Sequence, residues 1–272
     1  MNKRYDDGFI GRIHASYAMD NEPSADLNNS HCHNFYEMLY VVQGHGSYIV
    51  EGKEYELAPG TLMCVNPLDY HCVRVSTEEP YERYIFHFYR EAVPPALQDL
   101  LSRLTETGAG RGAFYTAPAA QTVRPCFERI LLLSRMEEDI REPFLTALLS
   151  EICVLLGVMD AVPAVRDEED DLSVRVIRYL NDNIDKDVSL DSLSRQFFVS
   201  KYYLCRAFKK RNDISIHGYL TQKRVMYAKA LMEKGESASG AAYRVGFGDY
   251  SAFYRAYVKI FGASPVSDNR RQ

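Results

Sequence analysis

His31-Cys32-His33, Glu37 and Gly44 form the pattern H-x-H-x3-E-x6-G. Residues two apart on a β-strand point to one side. His31 and His33 therefore share a face, and Glu37, four further on, stays on it. Two imidazoles and a carboxylate inside a barrel can hold a divalent transition metal. Three readings stay open at this point: a hydrogen-bonded polar cluster at the mouth of a binding barrel, a structural or sensing metal, and a catalytic metal. Cys32 alternates to the other face. A second chemistry-bearing stretch lies far downstream. In KYYLCRAFKKR, Leu204 and Phe208 make an i,i+4 apolar pair, and Lys201, Tyr202, Cys205, Arg206 and Lys209 occupy the remaining face. Ser200 is placed to cap that helix. Such a helix fits the DNA major groove, where its N-terminal side chains reach base edges and flanking groups hold phosphates. The pattern recurs. Asp249 is placed to cap YSAFYRAYVKIFG, in which Phe253 and Tyr257 pair inward while Tyr250, Ser251, Tyr254 and Arg255 stay outside.

The elements that must position these groups are of two kinds. MLYVVQG, GSYIVEG, KEYEL, TLMCVNP and YIFHFY are short β-branched or aromatic runs. Gly44, Gly46, Gly52, Pro59-Gly60 and Pro67 separate them, as in a small sandwich or barrel. Helices are predicted over 95–104, 120–139 and 142–160. In the second, Val123, Phe127, Ile130, Leu131 and Ser134 recur at helical spacing. AVPAVRDEEDD, residues 161–171, reads as a solvated linker. From Leu172 to about Phe261 the pattern is continuously helical. Ser189 can cap LDSLSRQF, with Leu190, Leu193 and Phe197 inward, and a short break leads into the helix at Lys201. Two short helices with a tight turn make a helix-turn-helix. The second copy begins with SASGAAYRVGF, whose Gly246 suits a left-handed turn. The fold class is therefore α+β. An N-terminal domain (1–160), a β-barrel followed by helices, is joined by the linker to an all-α DNA-binding domain with two helix-turn-helix units (172–272).

Charge follows the same division. Residues 171–272 hold 18 Lys+Arg against 10 Asp+Glu, a net of +8. Subtraction from the whole-chain totals of 32 and 37 leaves 14 against 27 in residues 1–170, a net of −13. Only the C-terminal part is therefore suited to meet a polyanion. No apolar run long enough for a membrane span and no signal-peptide pattern is read, so a cytoplasmic protein is expected. Cys32, Cys64, Cys72, Cys126, Cys153 and Cys205 lack CxxC spacing and are expected to be free thiols.

AAYRVGFGDYSAFYRAYVKIFGASP resembles the signature segment of AraC/XylS-type regulators. LDSLSRQFFVSKYYLCRAFKKRNDISIHGYLTQKRVMYAKALM resembles the part that precedes it, in register through Phe208-Lys209-Lys210, Arg224, Ala228, Val245-Gly246-Phe247, Phe253, Gly262 and Pro265. The resemblance implies a transcriptional regulator, not an enzyme, whose recognition helices enter successive major grooves of double-stranded DNA. By the same resemblance, base reading falls to Tyr202, Cys205, Arg206, Tyr250, Ser251 and Arg255. Ser200, Lys201, Lys209, Arg224, Asp249, Tyr254 and Lys259 complete the DNA-binding set. The second unit departs from the family at Ala238-Ser239-Gly240-Ala241, where a helix-interior glycine costs about 1 kcal/mol. It departs again at Tyr257-Val258-Lys259, which lacks one expected phosphate contact. The first unit is thus expected to supply more of the binding energy.

The pattern around His31 resembles the first cupin motif, and GKEYELAPGTLMCVNPLDYH resembles the sensor cupin of the same family. Met63 stands where a second cupin motif would place a histidine, so a fourth ligand requires His71 or His87. This reading requires no cofactor, with a divalent metal on His31, His33 and Glu37 as the alternative. The expected ligand is a small polar effector, a sugar or other metabolite, walled by His33, Glu37, Tyr40, Tyr48, His71, Tyr84 and His87. The resemblance also implies a homodimer built on helices at 120–160, admits RNA polymerase as a partner, and lets an N-terminal arm (1–18) fold over the pocket. A metal-dependent cupin enzyme with an accessory DNA-binding domain is the rival reading.

Overall fold

Alternation of side chains along two long strands, Tyr36–Gln43 (β3) and Tyr81–Phe88 (β8), organises the first half of the chain. The computed structural model describes residues 3–24, 30–105, 112–117, 119–161 and 171–269. All but the two end residues of the expected linker, 161–171, lie outside them. The chain divides into two units: Met1–Asn29 with Phe35–Asp167, and Ser30–Asn34 with Glu168–Gln272.

In the first unit, Lys3–Ile10 (β1) and Ile13–Asp20 (β2) form a hairpin whose second strand pairs with β8. With Leu62–Val65 (β6) and Ala113–Tyr115 (β9), they build a six-stranded antiparallel sheet in the order β1-β2-β8-β3-β6-β9. Gly46–Val50 (β4), Lys53–Leu57 (β5) and His71–Val75 (β7) make a second, three-stranded sheet in the order β5-β4-β7. The ladders thus form two separate sheets. The N-terminal arm, expected as a possible cover over a pocket, instead widens the larger sheet as strands β1 and β2.

Strand parity sorts the side chains into two cores. Leu39, Val41, Met63, Val65, Tyr81 and Phe114 of the large sheet meet Tyr48, Val50, Tyr55 and Leu57 of the small one. Met38, Tyr40, Tyr84, Phe86 and Phe88 point the other way, against a helical layer. That layer contains Gln98–Thr105 (α1), Arg124–Glu128 (α2) and Glu138–Leu156 (α3). The helix predicted over 120–139 is broken: short 3-10 turns, Ala120–Thr122 and Arg129–Arg135, flank α2. The buried positions explain it. Phe127, Ile130 and Leu133 are fully buried, while Leu131 and Leu132 are 41% and 42% exposed. A period of three matches the 3-10 helix, which eclipses residues i and i+3. Leu131 therefore faces away from the core it was expected to join.

The second unit is helical: Leu172–Asp182 (α4), Leu190–Gln196 (α5), Lys201–Asn212 (α6), Ile216–Glu233 (α7), Ala238–Arg244 (α8), Tyr250–Phe261 (α9) and Pro265–Asn269 (α10). Ser189 and Ser192 make a reciprocal capping box on α5, and Leu193 is buried. Leu190, expected inward, is 39% exposed. Val225, Ala228 and Met232 of α7 pack with Ala241, Ala242, Val245, Phe253 and Tyr257 to form the core under the second helix pair. The strip Ser30–Asn34 belongs here. Its Ser30 hydroxyl donates to the Asn212 carbonyl at 2.9 Å, and the Asn34 amide donates to Glu233. Among the described residues, no helix is long and apolar enough to cross a membrane.

Candidate functional site

Two places bring chemistry-bearing side chains together. In the first unit the centre is Glu37 of β3, 5% exposed. Register sets it directly opposite His87 of β8. The smaller sheet supplies Tyr48 of β4 and His71 of β7. Oε1 of Glu37 accepts the Tyr48 hydroxyl at 2.5 Å, and Oε2 lies 2.8 Å from His87 Nε2 and 3.7 Å from His71 Nε2. His71, 2% exposed, donates from Nδ1 to the Asp69 carbonyl at 2.8 Å, and its ring stacks on Tyr48 at 6.0 Å. Burial, then the Glu37 carboxylate, drive the Tyr48 hydroxyl far above the ordinary tyrosine range. Burial also works against a charged His71, but the Glu37 carboxylate outweighs it and raises that pKa.

The network continues outward through residues that sequence reasoning missed. His87 Nδ1 is 3.1 Å from His14 Nδ1, and His14 Nε2 is 2.8 Å from Asp6 Oδ1. His14 stands opposite His87 in the β2–β8 register. The apolar–polar alternation of Ile13-His14-Ala15-Ser16 marks a strand with His14 on its polar face, but nothing local names the strand it pairs with.

Of the seven expected wall residues, Glu37, Tyr48, His71 and His87 converge. Tyr40 and Tyr84 do not join them. Tyr40 is three residues from Glu37, and Tyr84 three from His87, so pleat parity turns both to the opposite face. There Tyr40 stacks on Phe127 at 5.3 Å, and Tyr84 lies 6.4 Å from it. Their place as walls is corrected accordingly. His31 and His33 precede β3 in the strip Ser30–Asn34, with ring centroids 5.7 Å apart. That strip belongs to the second unit, whereas Glu37 and His71 belong to the first.

The second place is the pair of helix-turn-helix units. Ser200 caps α6, its hydroxyl accepting from the Tyr203 amide at 3.2 Å. Lys201, Tyr202, Arg206 and Lys209 are exposed along α6, and Cys205 is half-buried, while Leu204 and Phe208 are buried beneath. Lys201 forms an ion pair with Asp191 of α5 at 2.5 Å. Asp249 caps α9, accepting from the Ala252 amide at 2.7 Å. Ser251, Tyr254, Arg255 and Lys259 are exposed above buried Phe253 and Tyr257. Tyr250 is half-buried, its ring 5.8 Å from that of Phe253. Gly240 lies in the first turn of α8, where its amide takes the Ser237 cap at 3.1 Å, so it is less of a defect than a mid-helix glycine.

Arg224 is placed away from the reading faces. Its Nε donates to the Ile184 carbonyl at 2.8 Å and its Nη2 to that of Lys186 at 2.6 Å. Gly246, at φ +89°, sits against the same loop: a Cβ there would come within 2.7 Å of the Asp185 carbonyl oxygen and 3.0 Å of Arg224 Nη2. The turn of the second helix pair thus packs on the loop that leads into the first, with Arg224 as the tie.

Comparison with known proteins agrees with this division. Residues 15–153 match the AraC-like ligand binding domain, and residues 193–271 match a helix-turn-helix domain. The chain is 25% identical over 226 residues to the uncharacterized HTH-type transcriptional regulator YbfI of Bacillus subtilis, covering 82% of this chain and 80% of that protein. It is 24% identical over 245 residues to the HTH-type transcriptional activator RhaS of Salmonella arizonae, covering 86% and 85%. Among solved structures, ToxT of Vibrio cholerae is similar at 12% identity and TM-score 0.38, covering 99% of this chain and 96% of that one. The C-terminal domain of AraT of Geobacillus stearothermophilus is similar at 28% identity and TM-score 0.36, covering 37% and 85%. The chain belongs to the AraC family of helix-turn-helix transcriptional regulators, a family of regulators rather than enzymes, and carries an AraC-like ligand-binding domain ahead of its DNA-binding domain.

Proposed function

We propose that the first unit senses a small polar effector at the cluster of Glu37, Tyr48, His71 and His87, and that occupancy there changes the affinity of the second unit for its operator. The observation that carries this reading is a buried carboxylate, hydrogen-bonded by Tyr48 and His87, beside an otherwise apolar core between two sheets. Buried charged groups are costly unless paired, and such convergent polar groups in an apolar surround mark ligand sites. A sugar or another hydroxyl-rich metabolite matches the donors and acceptors present. Linkage requires that such an effector bind the two regulatory states with different affinity, and that operator DNA change effector affinity by the same factor.

The test is a melting screen of the full chain against polar metabolites. A ligand at one hundred times its Kd adds about 2.7 kcal/mol of stability. Glu37→Gln is expected to abolish that shift, whereas Tyr40→Phe and Tyr84→Phe keep it. A shift that survives Glu37→Gln and disappears in Tyr84→Phe would place the effector on the other face of the sheet.

The helical layer supports a homodimer face in this reading. Leu131, Leu132, Ile140, Val154 and Val158 are exposed there, from 41% to 82%. Val154→Glu is expected to yield monomers in sedimentation; an unchanged dimer would assign the interface elsewhere.

A further inference from the structure

Glu37, His71 and His87, all of the first unit, meet around one carboxylate oxygen. Metal–ligand bonds of about 2.1 Å set ligand atoms about 3.0 Å apart at right angles and about 3.4 Å apart at the tetrahedral angle. The two separations from Glu37 Oε2, 2.8 Å to His87 Nε2 and 3.7 Å to His71 Nε2, straddle those values. The longer one exceeds hydrogen-bond distance. His71 donates from Nδ1 to the Asp69 carbonyl, which turns its Nε2 toward the same carboxylate oxygen, and a cation between the two would draw them together.

Each of the three groups is also held from behind, as metal ligands are. The Tyr48 hydroxyl fixes the far oxygen of Glu37, and the Asp69 carbonyl fixes His71. His87 is fixed through His14 and Asp6.

We infer that Glu37, His71 and His87 form a binding site for a first-row divalent metal ion, with further coordination positions left for a hydroxyl or carboxylate of the effector. Two imidazoles and one carboxylate suit such an ion better than calcium or magnesium, which prefer oxygen ligands. The inference deepens the reading of this cluster as the sensor's site and rests on it for the effector's share of the coordination.

The test uses the full-length, untagged chain, stripped with a chelator and titrated with Co2+. One equivalent is expected to bind and give visible ligand-field bands without the near-ultraviolet charge transfer of thiolate ligation. Zn2+ should displace it. His71→Ala and His87→Ala should each weaken binding by at least a hundredfold, and Tyr48→Phe by ten- to a hundredfold, the range for outer-shell partners. His217→Ala, on an exposed helix position of the second unit, should leave it unchanged. The wild-type spectrum alone decides the matter should a variant fail to fold. No bound Co2+, thiolate bands, or full binding by both histidine variants overturns the site. A metabolite-induced melting shift in protein that binds no Co2+ overturns the metal and leaves the effector reading standing. Stoichiometric Co2+ lost in His71→Ala, with no response to any metabolite, supports the metal and removes the effector.

Discussion

Replacing Arg224 with methionine separates a clamp from a DNA contact. The side chain is half-buried and bonds two main-chain carbonyls, Ile184 at 2.8 Å and Lys186 at 2.6 Å. Burial draws its pKa down, with Asp187 and Asp185 acting against that, so the guanidinium remains the donor. A hydrogen bond from a charged donor contributes about 1.5–3 kcal/mol. Two such bonds, less what water returns to the exposed Lys186 carbonyl, give a loss of about 2–4 kcal/mol in Arg224→Met. At about 4–8 °C per kcal/mol for a domain of this size, the helical transition of the second unit should fall by about 8 °C or more. Denaturant and thermal unfolding of the full chain, followed by far-ultraviolet circular dichroism, measure it. DNA binding supplies the second readout. Loosening the tie between the two helix pairs should weaken a full operator more than a single half-site, because the second contact loses effective concentration. The salt dependence should keep its slope. A phosphate contact predicts the reverse: unchanged melting and a slope reduced by about one. That result would refute the assignment of Arg224 as a clamp and return it to the DNA-binding set.

Arg206→Ala and Arg255→Ala should each weaken operator binding by about 1–3 kcal/mol and relax specificity at one position, as footprinting and competition with mutant operators will show. Asp20 is 4% exposed and accepts from Arg83 at 2.8 Å and Arg4 at 3.3 Å. Burial works to raise its pKa, but those arginines hold it below the ordinary carboxylate value. Its stabilisation is therefore full above about pH 4 and lost as pH falls through its folded value; Asp20→Asn should remove about 3 kcal/mol at neutral pH and flatten the acid limb of a melting profile. Phe198 sits in the turn before α6 at φ +55° and is 94% exposed. Phe198→Asn, which tolerates that conformation, should raise the stability of the second unit by about 0.5–1 kcal/mol, and a lower denaturation midpoint would contradict the strain argument.

The helix-turn-helix units were legible because their signals are local. Ser189, Ser200 and Asp249 each cap the helix that follows them, and Leu204–Phe208 and Phe253–Tyr257 are buried i,i+4 pairs. The sensor site was legible only in part, because it depends on register across strands distant in sequence. Parity along β3 and β8 could have excluded Tyr40 and Tyr84 once Glu37 and His87 were placed inward. His14 could not be found that way, since nothing local announces that residues 13–20 pair with 81–88. The broken helix at 120–135 has a similar origin: Leu131 fits a period of 3.6, and only the packing of Phe127, Ile130 and Leu133 selects a period of three.

Two grounds for unequal reading units, a glycine-weakened support helix and a missing phosphate contact, fare differently. Gly240 lies in the first turn of α8 and carries its cap, so the support helix of the second pair is less weakened than its sequence suggests. α9 ends on Gly262 at φ +67°, which glycine adopts freely, whereas α6 ends on Asp213 at φ +57°, where a side chain is strained. Local backbone energetics thus favour the second pair. Electrostatics favour the first. α6 exposes Arg206, Lys209 and Lys210, beside a Lys201 tied to Asp191, while α9 exposes Arg255 and Lys259. Each phosphate neutralised steepens the salt dependence by about 0.9, so the first pair should dominate binding at low salt and lose that lead as ionic strength rises. Half-site affinities measured across a salt series decide it: parallel lines for the two half-sites would mean that exposed charge on α6 does not set the difference.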